Sequence, residues 1–143
     1  MARYNIGVTK TTGAAAGLIT QLRAGAGRSL RVYEIGIFVN SAALSTVGLI
    51  RPSAVGATFT SSAVGSPDDP IDGAGVAVVD TVAGTAPTIG TNYMRRVGFN
   101  NVPGLGVIWT FPAGVTVPVN FSLALWQISA SAVTFENYWY YDE

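Results

Sequence analysis

The densest group of side chains that could bind a metal or act in acid–base chemistry lies in the segment SAVGSPDDPIDGAG (62–75). It contains Asp68, Asp69 and Asp72. A calcium loop of the EF-hand kind needs acidic ligands at alternate positions and a glutamate at its end. Here two aspartates are adjacent, and no glutamate follows them before Glu136. The spacing therefore excludes an EF-hand and leaves two interpretations, an irregular calcium site or a shaped loop.

The residues around the aspartates favour the shaped loop. Two prolines fix φ on either side of the acidic pair, and aspartate side chains commonly accept hydrogen bonds from nearby backbone N–H groups. Two glycines then release the chain into the next strand. We therefore predict a stiff loop whose charge and shape are available to a partner, with these contact candidates: Pro67, Asp68, Asp69, Pro70 and Asp72.

The rest of the chain offers little that could serve an enzyme. It contains no cysteine and no histidine, which excludes disulfides, zinc–thiolate sites and thiol nucleophiles, and removes the commonest general base. Glu34 lies in the apolar run VYEIGIF, where a carboxylate is costly unless it is paired. We predict a structural ion pair between Glu34 and Arg31, Arg51 or Arg96, in preference to a catalytic carboxyl. Neither enzymatic activity nor a cofactor is expected.

The low charge of the chain limits the classes of partner that it could bind. The formal net charge is zero and 11% of the residues are charged, against roughly 25% in an average domain. Nucleic-acid binding and attachment to a membrane through a basic face both need clustered cations, so neither is expected. A surface this poor in charge is expected to be covered by partners or to depend on Ser, Thr and Gly for solubility. The adjacent Arg95 and Arg96 are candidates for ion pairs in the core or at an interface.

An aromatic segment, FENYWYYDE (135–143), provides a second candidate contact surface. Strand alternation places Phe135, Trp139 and Tyr141 on a core-facing side and Tyr138 and Tyr140 on the opposite side. Outward-facing aromatics anchor protein interfaces and also stack on sugar rings. Both tyrosines are therefore predicted to contact a partner, which is either a protein or a glycan.

The elements that must position these residues are predicted to be short β-strands. Runs rich in Val, Ile, Phe, Tyr and Trp alternate with clusters of turn residues throughout the chain. Residues 17–24 favour a strand over a helix because the alanine tract before them is too short to nucleate one. Residues 29–39 are apolar on both faces, which is typical of an interior strand. Pro112 is expected to end the strand that precedes it.

This pattern predicts a single all-β domain over residues 1–143, an antiparallel β-sandwich of about eight to ten short strands. Residues 1–17 are expected to form an extended N-terminal arm or an edge strand. The first ten residues lack the apolar run of a secretory signal, so synthesis in a cytoplasm is expected.

From residue 18 to residue 143 the chain also resembles a known family, the capsid cement or decoration proteins of tailed bacteriophages and prophages. The resemblance begins in LRAGAGRSLRVYEIGIFVNSAALSTVGLIRPSAVG (22–56). The motifs that continue it are Pro-Asp-Asp-Pro (67–70), Met-Arg-Arg (94–96), Gly-Val-Ile-Trp (106–109), Phe-Pro (111–112) and Leu-Ala-Leu-Trp (123–126). These motifs are structural and contain no catalytic signature.

The resemblance implies a jelly-roll sandwich that sits on the outer surface of a phage head and clamps neighbouring coat subunits. Its implied partners are further copies of itself and the major capsid protein, in a virion made in a bacterial host. A homotrimer is expected because coat subunits meet around threefold and quasi-threefold axes. Two rival functions stay open: a jelly-roll part of a phage tail, baseplate or head fibre that binds host glycan, and a free-standing carbohydrate-binding module.

Overall fold

The computed structural model describes residues 1–143, apart from the side chains of residues 61 and 62. Every regular element in this part of the chain is a β-strand. The strands are β1 (Arg3–Thr11), β2 (Gly17–Arg23), β3 (Leu30–Val39), β4 (Ser45–Ile50), β5 (Ala57–Val64), β6 (Ser66–Pro67), β7 (Val78–Thr85), β8 (Arg95–Phe99), β9 (Gly106–Val117), β10 (Ser122–Gln127) and β11 (Thr134–Asp142). This is one strand more than the upper end of the predicted range, and β6 has only two residues.

The strands form two antiparallel sheets that pack face to face. The first sheet has the order β6-β1-β11-β3-β9 and the second has the order β5-β7-β2-β10-β4-β8. Strands β5, β6 and β7 are an insertion between β4 and β8. Without them, β1-β11-β3-β9 faces β2-β10-β4-β8, which is the strand order of a jelly roll. The predicted all-β sandwich is therefore confirmed.

The core lies between the sheets and follows the two-residue period of the strands. In β11 the inward side chains of Phe135, Trp139 and Tyr141 are fully buried, as alternation predicts. They pack with fully buried aliphatic side chains from both sheets, namely Ile19, Leu22, Leu30, Ile35, Ile37, Leu49, Leu123 and Leu125. Removal of this apolar surface from water is the main term that favours the sandwich.

Two strands show where sequence patterns succeed and fail. Strand β3 is interior, with β11 on one side and β9 on the other, as its apolar faces predict. The prediction that Pro112 ends its strand is wrong, since β9 runs from Gly106 to Val117. The register shifts opposite Tyr33, so Pro112 lies in a bulge that includes Gly114 at φ 71°. Because β9 is the outermost strand of its sheet, a residue without an N–H costs no ladder bond there.

The first residues of the chain join the first sheet. Strand β1 pairs with β11 along its whole length, from Arg3 opposite Asp142 to Thr11 opposite Thr134. On its other side β1 pairs only with the two residues of β6. Residues 3–11 therefore form a strand close to the sheet edge, and residues 12–16 lead into β2.

A buried polar network holds the outer side of the second sheet. Asp80 is fully buried, and its carboxylate forms an ion pair with the guanidinium of Arg23. Gln21 donates to the same carboxylate at 3.2 Å and to the carbonyl of Val55 at 2.9 Å. The hydroxyl of Ser122 donates to the Gln21 carbonyl oxygen at 3.3 Å. The network ties β7, β2 and β10 to the chain segment that follows β4.

Replacement of Asp80 by Ala leaves the partly buried guanidinium of Arg23 without its carboxylate, and the Gln21 amide keeps only the carbonyl of Val55 as acceptor. Loss of one member of a buried pair typically costs about 3–5 kcal/mol, so we expect urea unfolding of D80A to show a free energy of unfolding lower by about 3 kcal/mol or more. The exposed Asp72→Ala variant is the control and should stay within about 0.5 kcal/mol of the parent protein. Equal stability of D80A and D72A would contradict this role.

Candidate partner-binding surfaces

The acidic segment forms a loop, residues 65–77, that we call the anchored loop. Its first part is held against β1, because Ser66 and Pro67 pair with Asn5 and Tyr4. The ladder extends one step further through the N–H of Asp68, which donates to the carbonyl of Arg3 at 2.8 Å. The side-chain amide of Asn5 also donates to the Asp68 carboxylate at 2.6 Å.

The tip of the anchored loop is a tight turn organised by Asp69. Its carboxylate accepts the N–H of Ile71 at 3.0 Å, and its carbonyl accepts the N–H of Asp72 at 3.0 Å. This is the predicted hydrogen bonding between an aspartate and the local backbone. Pro70 and Asp72 are exposed, and the side chain of Ile71 is 91% exposed. No group of three or more acidic side chains in the described part of the chain is placed to hold a metal ion.

The base of the anchored loop is fixed by a carboxylate that the sequence analysis did not single out. The buried Glu143 side chain accepts the N–H groups of Val76 at 2.6 Å and of Ala77 at 2.9 Å. Tyr4 donates its hydroxyl to the carbonyl of Gly73 at 3.2 Å, and its ring stacks on Tyr141 with centroids 5.6 Å apart. Both ends of the loop are therefore tied to β1 and to the end of β11, so the tip is presented on a stiff support.

The second surface, which we call the aromatic face, is the outer side of the first sheet. Tyr138 and Tyr140 both lie on it, as predicted from alternation. Tyr138 stacks with Phe38 at a centroid distance of 6.5 Å and an interplanar angle of 23°. Tyr140 lies beside Tyr33, and the guanidinium of Arg3 is about 6 Å from the centroids of both rings. The two tyrosines thus belong to two neighbouring aromatic pairs.

Glycines in the neighbouring strands make room for the first pair. A Cβ on Gly36 would lie 2.0 Å from the ring of Tyr138, and a Cβ on Gly106 would lie 2.1 Å from the ring of Phe38. Each ring therefore occupies the space that a side chain on the facing glycine would otherwise fill. Isolated glycines within a strand pattern signal close approach of this kind, and that signal could have located the pair.

Glu34 belongs to this face, and its predicted ion pair is not found. The carboxylate accepts the hydroxyl of Tyr138 at 2.6 Å. Arg51 directly follows β4 and Arg96 lies in β8, both strands of the second sheet, and Arg31 lies against Gly114. Burial, followed by the hydrogen bond to Glu34, raises the pKa of Tyr138 to about 12. Because this carboxylate is partly exposed, the hydrogen bond from the Tyr138 hydroxyl is sufficient and an ion pair with arginine is not required.

The two adjacent arginines lie on the outermost strand of the second sheet and point to different neighbours. The guanidinium of Arg95 is 5.6 Å from the ring centroid of Phe111, and that of Arg96 is 5.6 Å from the ring centroid of Tyr93. Both side chains are exposed. Among the described residues the side-chain ion pair found joins Arg23 and Asp80. Neither Arg95 nor Arg96 therefore forms the ion pair that was predicted for it within this chain. Their contact with a partner stays a prediction.

The third surface is the open edge of β9, which we call the β9 edge. Among the described residues β9 pairs only with β3. Its side chains include Ile108, 51% exposed, and the preceding segment contributes Val102 and Leu105. No Asp, Glu, Lys or Arg lies between Arg96 and Glu136. Exposed edges are usually protected by charge, by proline or by a bulge. Strand β8 has its two arginines, whereas β9 has no charged residue of its own and is protected by Pro112 and the bulge around it.

Comparison with family models, with curated proteins and with solved structures found no match. The described residues include no helix that is long and apolar enough to cross a membrane. Three surfaces of this chain are therefore the candidates for binding a partner: the anchored loop, the aromatic face and the β9 edge.

Replacement of Glu143 by Ala removes the acceptor of two backbone N–H groups at the base of the anchored loop. Hydrogen bonds to charged groups contribute about 1.5–3 kcal/mol each, and about 1.4 kcal/mol corresponds to a tenfold change in an equilibrium. We therefore expect the amides of Val76 and Ala77 to exchange with deuterium at least about tenfold faster. Glu136→Ala is the matched control, because that carboxylate accepts an exposed threonine hydroxyl. Unchanged exchange in E143A would contradict the anchoring role.

Replacement of Glu34 by Gln should lower the pKa of Tyr138, because the negative acceptor of its hydroxyl is removed. The value should stay above the ordinary 10.0, because burial, the largest single cause of the shift to about 12, is unchanged in the variant. The raised pKa means that Tyr138 favours the folded state below pH 10 and that this contribution is lost as the pH rises through about 12. Ultraviolet titration of tyrosinate, with Tyr138→Phe subtracted, measures it.

Circular dichroism at each pH shows whether the protein remains folded during the titration. Glu136→Gln serves as the control on the same face and should leave the pKa of Tyr138 unchanged. A pKa of Tyr138 that is the same in E34Q and in the parent protein would mean that the hydrogen bond is absent.

Proposed function

We propose that this protein is a non-enzymatic structural protein that decorates the outer surface of a phage head and clamps neighbouring coat subunits. The proposal depends on the β9 edge, whose own residues include no charged side chain and which presents exposed Ile108. An edge of this kind is a template for pairing with another chain, and proteins that work alone in solvent protect it. A subunit whose edge is covered in an assembly needs no such protection.

The composition and the family resemblance support the same proposal. With 11% charged residues, the chain has a surface suited to extensive contact with other subunits. The motifs that resemble decoration proteins lie mainly in β2, β3, β4, β8, β9 and β10, so the resemblance concerns the jelly-roll scaffold itself. A scaffold on its own does not determine function, and the contact surfaces must therefore carry the proposal.

In the proposed assembly the β9 edge joins copies of the protein, and the anchored loop contacts the major capsid protein. The loop suits this role because both of its ends are fixed and Ile71 is displayed at its tip. A trimer would present three such tips to a threefold position of the lattice, and linked copies gain avidity without new contacts. Binding only to the assembled lattice would stabilise the lattice by mass action.

The rival function, a tail, baseplate or head-fibre module that binds host glycan, is supported by a different observation. Tyr138 and Phe38 form a stacked pair on the aromatic face, and such pairs suit both sugars and proteins. A free-standing carbohydrate-binding module would use the same surface. The uncharged β9 edge favours a subunit of an assembly over a free-standing module, and the family resemblance favours the decoration role over a tail, baseplate or fibre part, so we place the decoration role first.

The proposal is tested by adding the purified protein to phage capsids assembled without it and measuring co-sedimentation. We expect saturable binding at a fixed ratio to the coat protein, and a trimer in solution by light scattering. Ile108→Lys places a charge in the proposed subunit contact, so self-association should weaken by roughly tenfold or more. Leu44→Lys is the matched control, since Leu44 is an exposed apolar residue outside the β9 edge.

The anchored loop is tested in the same assay. Replacement of Asp68 and Asp69 by Ala should weaken capsid binding, whereas a chelator should have no effect. Loss of binding with the chelator alone would show that the loop is a metal site. Absence of saturable binding by the parent protein would rule out the decoration role.

A further inference from the structure

We infer that the aromatic face contains a binding site for a neutral or amino pyranose sugar, in a groove above Gly7. The groove has a volume of about 290 Å³ and is lined by outward side chains of Thr9, Phe38, Glu136 and Tyr138. The groove results from the strand register. Tyr138 of β11 lies between two glycines, Gly7 of β1 on one side and Gly36 of β3 on the other. Tyr138 extends over Gly36, and the space above Gly7 is left open.

The wall of the groove suits the apolar face of a sugar ring. The rings of Tyr138 and Phe38 are within 23° of parallel, and both side chains are only partly buried. Tyr138 is held in place because its hydroxyl donates to Glu34 at 2.6 Å and its ring fills the space above Gly36. An aromatic that is already ordered loses little conformational entropy on binding.

The rim of the groove supplies hydrogen-bond acceptors for sugar hydroxyls. Glu136 accepts the Thr9 hydroxyl through Oε2. Its other carboxylate oxygen has no hydrogen-bond partner in the part of the chain that the structure describes. Ionised carboxylates accept strong hydrogen bonds from hydroxyl groups, so a sugar with free hydroxyls fits the rim.

The charge of the groove selects among sugars. Glu136 lines it, and Glu34 lies beside it on the hydroxyl of Tyr138. The described lining includes no arginine or lysine. An anionic sugar, such as a sialic or uronic acid, would meet two carboxylates without a compensating cation. The site is therefore suited to neutral hexoses and to amino sugars.

The chain offers a substitution that closes the groove without disturbing the strand. A Cβ on Gly7 would have only the backbone oxygen of Asn137 within 4 Å, at 3.9 Å, and valine is favoured in strands. Gly7→Val should therefore fold and fill the groove. Gly98→Val is the matched control, because Gly98 also lies in a strand and a Cβ there would have nothing within 4 Å.

The experiment presents the parent protein, G7V, G98V and Tyr138→Ala to immobilised glucosides, galactosides and N-acetylglucosaminides, with sialosides and glucuronides as acidic probes. We expect the parent and G98V to bind neutral sugars, and G7V and Y138A to bind at least tenfold more weakly. Absence of sugar binding by the parent, equal binding by G7V, or preference for acidic sugars would overturn the inference. The site is independent of the decoration role, and G7V should still bind capsids.

Discussion

The pairing of β11 between β1 and β3 is the contact on which the rest of the molecule depends. This strand carries the largest buried side chains of the core on its inward face and the tyrosines of the aromatic face on its outward face. The residue that follows it, Glu143, fixes the base of the anchored loop. One inward polar residue, Asn137, accepts from Thr20 in the opposite sheet at 2.9 Å and donates to Val8 at 3.2 Å. A shift of β11 by one residue would bury the outward tyrosines and expose the core, so its register is strongly determined.

The sandwich uses glycine in place of larger side chains where surfaces must come close. At Gly36 and Gly106 the missing Cβ makes room for a ring from the next strand, and at Gly48 it makes room for Tyr93. Glycine within a strand weakens it in isolation, but a ring packed over the backbone restores contact area that glycine alone would not provide. Gly7 follows the same pattern without a ring above it, which is why a groove occurs there.

Most of the fold could be predicted from strand periodicity, because burial of one face of a strand imposes a two-residue period on the sequence. The same reasoning placed Tyr138 and Tyr140 on one surface. It failed at Pro112, because a local pattern does not reveal that a strand lies at the edge of a sheet, where a missing N–H is harmless. The predicted ion pair of Glu34 rested on the cost of burying a carboxylate, and that reasoning could not identify its partner Tyr138, which is 104 residues away along the chain. Contacts such as Glu143 with the anchored loop depend on register between distant strands, and no local signal encodes them.

The position of β11 in chain order has a consequence for biosynthesis. The first sheet cannot close until residues 134–142 have left the ribosome, although its partners β1 and β3 are made first. Until then β1 and β3 expose unpaired backbone and apolar side chains on a growing chain, and domains of this topology fold slowly because their contacts are distant in sequence. Exposed apolar surface and unpaired strand edges favour aggregation during this interval. The first sheet is therefore completed only when β11 pairs between β1 and β3.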